Sequence, residues 1–260
     1  KNLVNMKDLT PEQTMAIVKK ARQFKLSGIP KLEQKYFISN LFFEPSTRTK
    51  TSFDMAERRL GLEVVPFDAQ FSSTTKGETL YDTVKTLEAI GLDALVIRHS
   101  EDGYYEELLG RTSVTIINGG DGSGQHPSQS LLDLFTIYEQ FGRFEGLNVL
   151  IAGDISHSRV ARSNADALTR LGANVQFLCP PEWQGEFEAV NRWDDIIEEA
   201  DVVMLLRVQH ERHDEAMHYT EKEYHERFGL TVERERLLKD EAIIMHPAPV
   251  NRDVELADEL

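Results

Sequence analysis

Only one cysteine, Cys179, occurs in the 260 residues. A lone thiol excludes an intrachain disulfide and any zinc centre built from several cysteines. Positive charge is also scarce: 29 Lys and Arg against 44 Asp and Glu leave a formal charge of −15. That balance argues against broad binding to nucleic acid or to anionic membranes, because both draw on clustered positive charge. No stretch approaches the roughly 18 uninterrupted apolar residues of a membrane helix, and Lys1 to Thr10 lacks the apolar run of a secretory signal. With 9 Pro and 16 Gly the composition is neither collagen-like nor disordered. These absences predict a soluble globular protein with the cytoplasm as its default location. They leave room for an anionic small substrate. Exposed charges are screened beyond about 8 Å at physiological ionic strength, so a few focused arginines can outweigh a distant acidic surface.

What is present is alternation. Thr10 as N-cap, Pro11 at the first helical position and Gln13 closing a capping box signal an opening helix. Strand-like runs follow at Tyr36 to Phe43, Leu62 to Phe67, Ala94 to Arg98 and Val114 to Asn118. Helical spacing at Thr47 to Leu60, stopped by Gly61, and at Leu80, Val84 and Leu87 separates them. Pro127 opens a long helix striped by Leu131, Leu134, Phe135 and Tyr138 that ends near Gly142. The pattern then restarts, with strands at Leu147 to Ala152, Asn174 to Leu178, Asp201 to Leu206 and Ala242 to Met245 and a helix from about Ser158 to Leu171. The expected fold is α/β, with two similar domains over residues 1–128 and 129–260. Each holds a largely parallel sheet flanked by helices, and the long helix joins them. Ligands of open α/β sheets bind at the carboxyl ends of the strands, which makes the cleft between the domains the expected ligand site.

After the apolar Leu41-Phe42-Phe43 comes Glu44-Pro45-Ser46-Thr47-Arg48-Thr49, with a helix starting inside the cluster. A helix N-terminus leaves its first N–H groups unpaired and favours an anion by roughly 0.3–1 kcal/mol, up to about 2 in a partly buried site. The dipole alone is a weak trap. Arg48 adds a fork matched to phosphate oxygens, and Ser46, Thr47 and Thr49 add hydroxyl donors. Taken by itself the cluster reads more readily as an ordinary N-cap, Ser46, with Arg48 and Thr exposed in the first turn.

The stretch Phe42 to Thr49, followed by Phe53 and Glu57, resembles the carbamoyl-phosphate signature of the aspartate and ornithine carbamoyltransferase family. Further matching pieces occur in family order over nearly the whole chain. They are Ser72 with Lys76-Gly77-Glu78-Thr79, Arg98-His99, His126-Pro127-Ser128-Gln129 with Leu131-Leu132-Asp133, Gly153-Asp154 with Ser158-Arg159, and His246-Pro247-Ala248-Pro249. The resemblance implies a carbamoyl-phosphate-binding first domain and an amino-acid-binding second one. It implies that Ser46, Thr47, Arg48 and Thr49 cradle the phosphate, that Arg98, His126 and Thr49 polarise the carbonyl oxygen, and that Gln129 with the Pro247 carbonyl holds the carbamoyl amide. Arg159, Arg207 and Gln209 would bind the carboxylates of the acceptor. Ser72 and Lys76 correspond to a mobile loop that reaches a neighbouring subunit's site in this family, so a homotrimer is implied. Relatives continue past the Asn251-Arg252 region into further helices, the last of which packs on the first domain.

The acceptor is read from charge. Ornithine transferases place a His-Cys-Leu-Pro cluster where this chain has His246-Pro247-Ala248-Pro249. Arg207-Val208-Gln209-His210-Glu211-Arg212 is similar to the segment that holds the aspartate carboxylates in the aspartate branch of the family. Arginines suit a dicarboxylate and repel a cation. Carbamoyl phosphate and amine-neutral aspartate, each with about two negative charges, would face Arg48, Lys76, Arg98, Arg159 and Arg207. The expected reaction is therefore carbamoyl transfer to L-aspartate, a step of pyrimidine biosynthesis, with no cofactor. Another amino acceptor, or a relative that binds without turnover, are the competing readings. The donor is an activated mixed anhydride, and no Ser/His/Asp or Cys/His constellation is evident, so positioning and charge stabilisation would carry the rate, roughly 7–11 kcal/mol from positioning in favourable cases. By resemblance the departing phosphate takes the amine proton.

Plainer readings stand beside these. His126 could simply cap the long helix, Arg98 and Arg207 could be solvated strand ends, and Lys76 could be surface decoration. His210, His213, His218 and His225 do not form the His-Glu-x-x-His zinc pattern and have arginine neighbours, so no metal is expected. Gly153-Asp154 lacks the Gly-x-Gly-x-x-Gly run of a dinucleotide site. Cys179 reads as a half-buried strand-end residue. Asp253 follows Asn251-Arg252 where relatives often carry Gly, a residue that tolerates left-handed backbone angles better than Asp does.

Overall fold

The computed structural model describes residues 1–71, 76–208 and 219–260. It divides into two compact units, Lys1–Thr136 and Ile137–Leu260. Each unit is built on a four-stranded sheet in which every pairing is parallel.

The first unit opens on α1 (Pro11–Ser27), whose Thr10 side chain accepts from the Gln13 N–H while the Gln13 side chain accepts from the Thr10 N–H. Then come β1 (Phe37–Phe42), α2 (Thr47–Arg59), β2 (Glu63–Val65), α3 (Leu80–Ile90), β3 (Ala94–His99) and β4 (Thr115–Asp121). The sheet order is β2-β1-β3-β4. Successive side chains of a strand point to opposite faces, and the core follows that rule. Leu95 and Ile97 pack with Leu41, Val84, Leu108 and Ile116, whereas Val96 packs with Ile38, Phe42 and the α2 residue Phe53. A sheet covered on both faces requires near-continuous apolar strands, which is why β1 and β3 lack strict alternation. β2 is shorter than its apolar run suggests, as suits an edge strand with one neighbour.

α4 (Pro127–Phe141) runs across the boundary between the units. The second unit continues with β5 (Asn148–Ala152), α5 (Arg159–Arg170), β6 (Asn174–Leu178), β7 (Val202–Leu205), α6 (Glu221–Phe228), α7 (Val232–Glu235) and β8 (Ile243–Met245). Its order, β6-β5-β7-β8, repeats that of the first sheet. Leu150, Ala152, Val203 and Leu205 share a core with Trp183, Trp193, Tyr224 and Phe228. Cys179 lies inside it with 0% exposure. The half-buried reading is corrected: the Cys179 N–H donates to the Val190 carbonyl, so the chain turns inward after β6 instead of emerging. Burial pushes its thiol up to about 12, which makes it inert.

Both sheets reverse direction at their second position. The chain passes from β1 outward to β2 and then back to β3 on the other side, and likewise from β5 to β6 and back to β7. Such a switch point splays the connections that leave the carboxyl ends of the two central strands and opens a crevice there.

Candidate active site

At the first switch point β1 and β3 end side by side, with Phe42 paired to Arg98 and the Phe43 N–H donating to the Arg98 carbonyl at 2.9 Å. The chain leaving β1 is Glu44 to Ser46, and α2 begins at Thr47. Ser46 holds the N-cap position, yet its side chain accepts no capping hydrogen bond. Thr10, Thr79, Ser158, Thr220 and Thr231 all do so for their own helices. The ordinary-cap reading of Ser46 therefore describes its place and not its bonding. Thr47 and Arg48 are exposed, and Ser46 and Thr49 are half-buried.

The charge of the helix starts is selective. α1, α3, α6 and α7 carry acidic residues in their first turn, the usual complement to the dipole. α2, α4 and α5 carry none. These are the three helices that open on Thr47-Arg48-Thr49, on Pro127 to Gln129 and on Arg159, and a helix start without acidic side chains does not repel an anion.

Arg98 is not a solvated strand end. A register shift between Ile97 and Arg98 leaves Gly119 unpaired on β4, and Arg98 Nη1 donates to the Gly119 carbonyl at 3.1 Å. Its Nε lies 4.0 Å from Glu44 Oε2 and is buried with no hydrogen-bond partner. Gly120 makes room for the head group. With φ of +128°, a Cβ there would meet Arg98 Nη1 at 2.9 Å.

His126 follows the loop from β4, and that loop is pinned by a buried carboxylate. Asp121 accepts from Asn118 Nδ2 and the Gln125 N–H through Oδ1, and from the Gly103 N–H through Oδ2. Asn118 Oδ1 in turn accepts from the Tyr104 hydroxyl and the Gly120 N–H. The His126 carbonyl accepts from Gln129 and Ser130 and so starts α4, while its ring Nδ1 lies 3.3 Å from Ser128 Oγ. Burial, with the Arg98 guanidinium adding to it, pushes the imidazole down to about 4. The ring is neutral at pH 7 and can donate a hydrogen bond without adding a charge. Gln129 is half-buried in the first turn, its Nε2 donating to Asp133 Oδ1 at 3.0 Å.

Residues 1–139 match the family model for the carbamoyl-P binding domain of aspartate/ornithine carbamoyltransferases, and residues 145–260 match that for the Asp/Orn binding domain. The chain belongs to the aspartate/ornithine carbamoyltransferase family. It is 57% identical over 262 residues to the aspartate carbamoyltransferase catalytic subunit of Staphylococcus carnosus, covering 100% of this chain and 86% of the relative. The counterpart from Fusobacterium nucleatum is also 57% identical, over 265 residues, with the same coverage of 100% and 86%. Among solved structures, the M. jannaschii aspartate transcarbamoylase catalytic subunit aligns with a TM-score of 0.82 at 33% identity, over 100% of this chain and 89% of that one. The Trypanosoma cruzi aspartate transcarbamoylase in complex with N-(phosphonacetyl)-L-aspartic acid aligns with a TM-score of 0.81 at 29% identity, over 99% and 87%.

The second unit of this carbamoyltransferase presents its own groups at its switch point. Gly153 directly follows β5 with φ of +133°, and a Cβ there would come within 2.8 Å of Leu206 Cβ. Only glycine lets the two strand ends close while the Leu206 N–H donates to the Ala152 carbonyl. Arg159 is the first residue of α5 and is exposed; Arg207, just past β7, is half-buried with its Nε shielded from solvent. Pro247 is exposed in a loop held from both sides. The Ala248 N–H donates to His246 Nδ1, so Nε2 carries the ring proton and donates to Glu255 Oε1 at 2.9 Å, and the Asn251 N–H donates to the same oxygen. Sequence reasoning missed Glu255 and Asn251 in this role, as it missed Gly119, Gly120 and Asp121 around Arg98 and His126.

Lys76 is exposed ahead of α3. Ser72 and Gln209 lie outside the described residues, as do His210, His213 and His218. His225 Nδ1 bonds the Val254 carbonyl, and among the described residues no group of three metal-ligating side chains comes together. No helix among them is long and apolar enough to cross a membrane. Asp253 does occupy the left-handed region, with φ of 56°, and its Oδ1 accepts from the Asp258 N–H, a local bond that offsets part of the strain.

Proposed function

We propose that this chain transfers the carbamoyl group of carbamoyl phosphate to the amine of L-aspartate, giving N-carbamoyl-L-aspartate and phosphate. The observation that carries the reading is the meeting, at one switch point, of the uncapped start of α2, the bulge-held Arg98 and the neutral His126. The family to which the chain belongs, and its 57% identity, over 100% of this chain and 86% of the relative, with an aspartate carbamoyltransferase catalytic subunit, agree with it.

In this reading Ser46, Thr47, Arg48 and Thr49 hold the phosphate with hydroxyls, backbone N–H groups and a guanidinium. Arg98, Thr49 and His126 donate to the carbonyl oxygen, where negative charge grows as the amine attacks. Donors fixed in place before the reaction cost no reorganisation, and loss of one such donor typically slows turnover by about 10²–10³. Gln129 and the Pro247 carbonyl accept from the carbamoyl NH2. Arg159, Arg207 and Gln209 take the two carboxylates. The amine nitrogen forms the new C–N bond, the C–O bond to phosphate breaks with its electron pair, and the departing phosphate takes the amine proton. No cofactor enters.

The remaining parts of the proposal rest on family resemblance. The first unit serves as the carbamoyl-phosphate domain and the second as the aspartate domain, with the boundary inside α4 at Thr136 and Ile137 in place of the 128/129 division expected from sequence. The chain works as a homotrimer in the cytoplasm, with Ser72 and Lys76 serving a neighbouring copy's site; the exposure of Lys76 is compatible with that role. Ureido-product formation from carbamoyl phosphate with aspartate, ornithine and other amines as acceptors tests the reading. Product with aspartate alone supports it; preference for another amine, or tight carbamoyl phosphate binding with no turnover on any amine, contradicts it.

A further inference from the structure

Gln129 and Asp133 stand one turn apart on α4, and the amide nitrogen of Gln129 donates to Asp133 Oδ1 at 3.0 Å. The two ends of a side-chain amide are nearly equal in shape and opposite in hydrogen-bonding sense. An ionised carboxylate only accepts, so it tells them apart. The bond turns the NH2 of Gln129 toward Asp133 and puts Oε1 on the other branch of the amide plane. Both side chains are half-buried, and the Gln129 N–H is itself tied to the His126 carbonyl, so the amide is fixed within one turn of the imidazole.

We propose that Asp133 is a positioning residue that locks Gln129 with its carbonyl oxygen toward the substrate, and so makes the site select a carbamoyl donor over an acyl donor of the same size. The inference rests on the carbamoyl-transfer reading, in which Gln129 meets the carbamoyl nitrogen. That nitrogen donates its lone pair to the adjacent carbonyl, so its NH2 is a donor and no acceptor. It is matched by Oε1 and opposed by an amide NH2. A methyl group in its place leaves Oε1 without a partner, and sites built to hydrogen-bond a group discriminate strongly against analogues that lack it. Without Asp133 the amide has two orientations and additional rotamers, and the reward for the carbamoyl NH2 falls. A methyl donor, which never had that reward, loses little.

The test compares carbamoyl phosphate as substrate with acetyl phosphate as competitive inhibitor in wild type, Asp133→Ala, Asp133→Asn and the same changes in a Gln129→Ala background. Asp133→Ala is expected to lower kcat/KM for carbamoyl phosphate about tenfold while the Ki of acetyl phosphate moves less than about threefold, the size of one buried hydrogen bond. Asp133→Asn can face Gln129 with either end of its own amide, so a smaller fall in the same direction is expected; this variant decides the matter should the alanine variant fail to fold. In the Gln129→Ala background neither change is expected to alter the ratio further. Equal losses for both ligands, or an Asp133 effect that persists without Gln129, overturn the inference. Absence of carbamoyl phosphate turnover by the wild type overturns the proposed function, and the inference with it.

Discussion

Arg98 donates from Nη1 to the carbonyl of Gly119, the one residue that the register shift beside it leaves unpaired on β4. The bulge and the arginine are one device. A carbonyl released from the ladder would otherwise be an unsatisfied acceptor, and here it orients a guanidinium at the carboxyl end of the sheet. Gly120 closes the arrangement by offering no Cβ where the head group lies.

Gly120→Ala is therefore expected to act through Arg98. The φ of +128° is strained for alanine and the added methyl displaces Nη1. Loss of about one properly aimed oxyanion donor predicts a fall in kcat of roughly 10²-fold. Steady-state kinetics check this, and an unaltered kcat in a folded variant contradicts it.

His126 has its imidazole pushed down to about 4 by burial and by Arg98. In the unfolded chain the ring takes up a proton near about pH 6.5, whereas in the folded chain it does not until near 4. Between those values the unfolded state holds more protons, so this group makes stability rise with pH, and stability is lost as pH falls through the window. Following the ring resonances by NMR in the ligand-free protein should show no titration of His126 between pH 6 and 8.

Glu57 behaves oppositely. It is 4% exposed in α2, accepts from Asn40 Nδ2, and burial raises it from 4.5 to about 7 against the lowering effect of that bond. The folded state retains the proton that the unfolded chain releases, so stability is full below 4.5 and declines as pH rises through about 7. Glu57→Gln keeps the shape and removes the charge. Thermal melts at pH 8 are expected to show a higher Tm for Glu57→Gln than for wild type, with the difference vanishing near pH 4.5.

If Lys76 completes a neighbouring copy's site, inactive Arg48→Ala and Lys76→Ala proteins should recover activity when mixed and allowed to exchange subunits, because some sites then combine an intact Arg48 with an intact Lys76. Reassembled mixtures with no recovery contradict shared sites.

Much of this was readable from sequence because it rests on burial and spacing. The apolar runs of β1, β3, β5 and β7 declare strands covered on both faces, and Thr10 with Gln13 declares a helix start. A related Thr-x-x-Glu pattern at Thr220 to Glu223 opens α6, where the strongly polar stretch offers no apolar stripe to mark a helix. Asp133 was also within reach, one helical turn from Gln129. Other features depend on tertiary contact. The sequence of β4 does not say that Gly119 drops out of register, Ser46 has the composition of a cap whether or not its hydroxyl is used, and Cys179 is buried because Val190 draws the chain inward.

Calorimetric binding of N-(phosphonacetyl)-L-aspartate is the direct test of the proposed recognition of acidic reactants by Arg48 and by Arg207. Tight binding by the wild type is predicted, with Arg48→Ala and Arg207→Ala each weakening it by roughly 10- to 100-fold, as expected for loss of a charge-assisted hydrogen bond. No binding by the wild type, or affinity unchanged in both variants, would contradict the account.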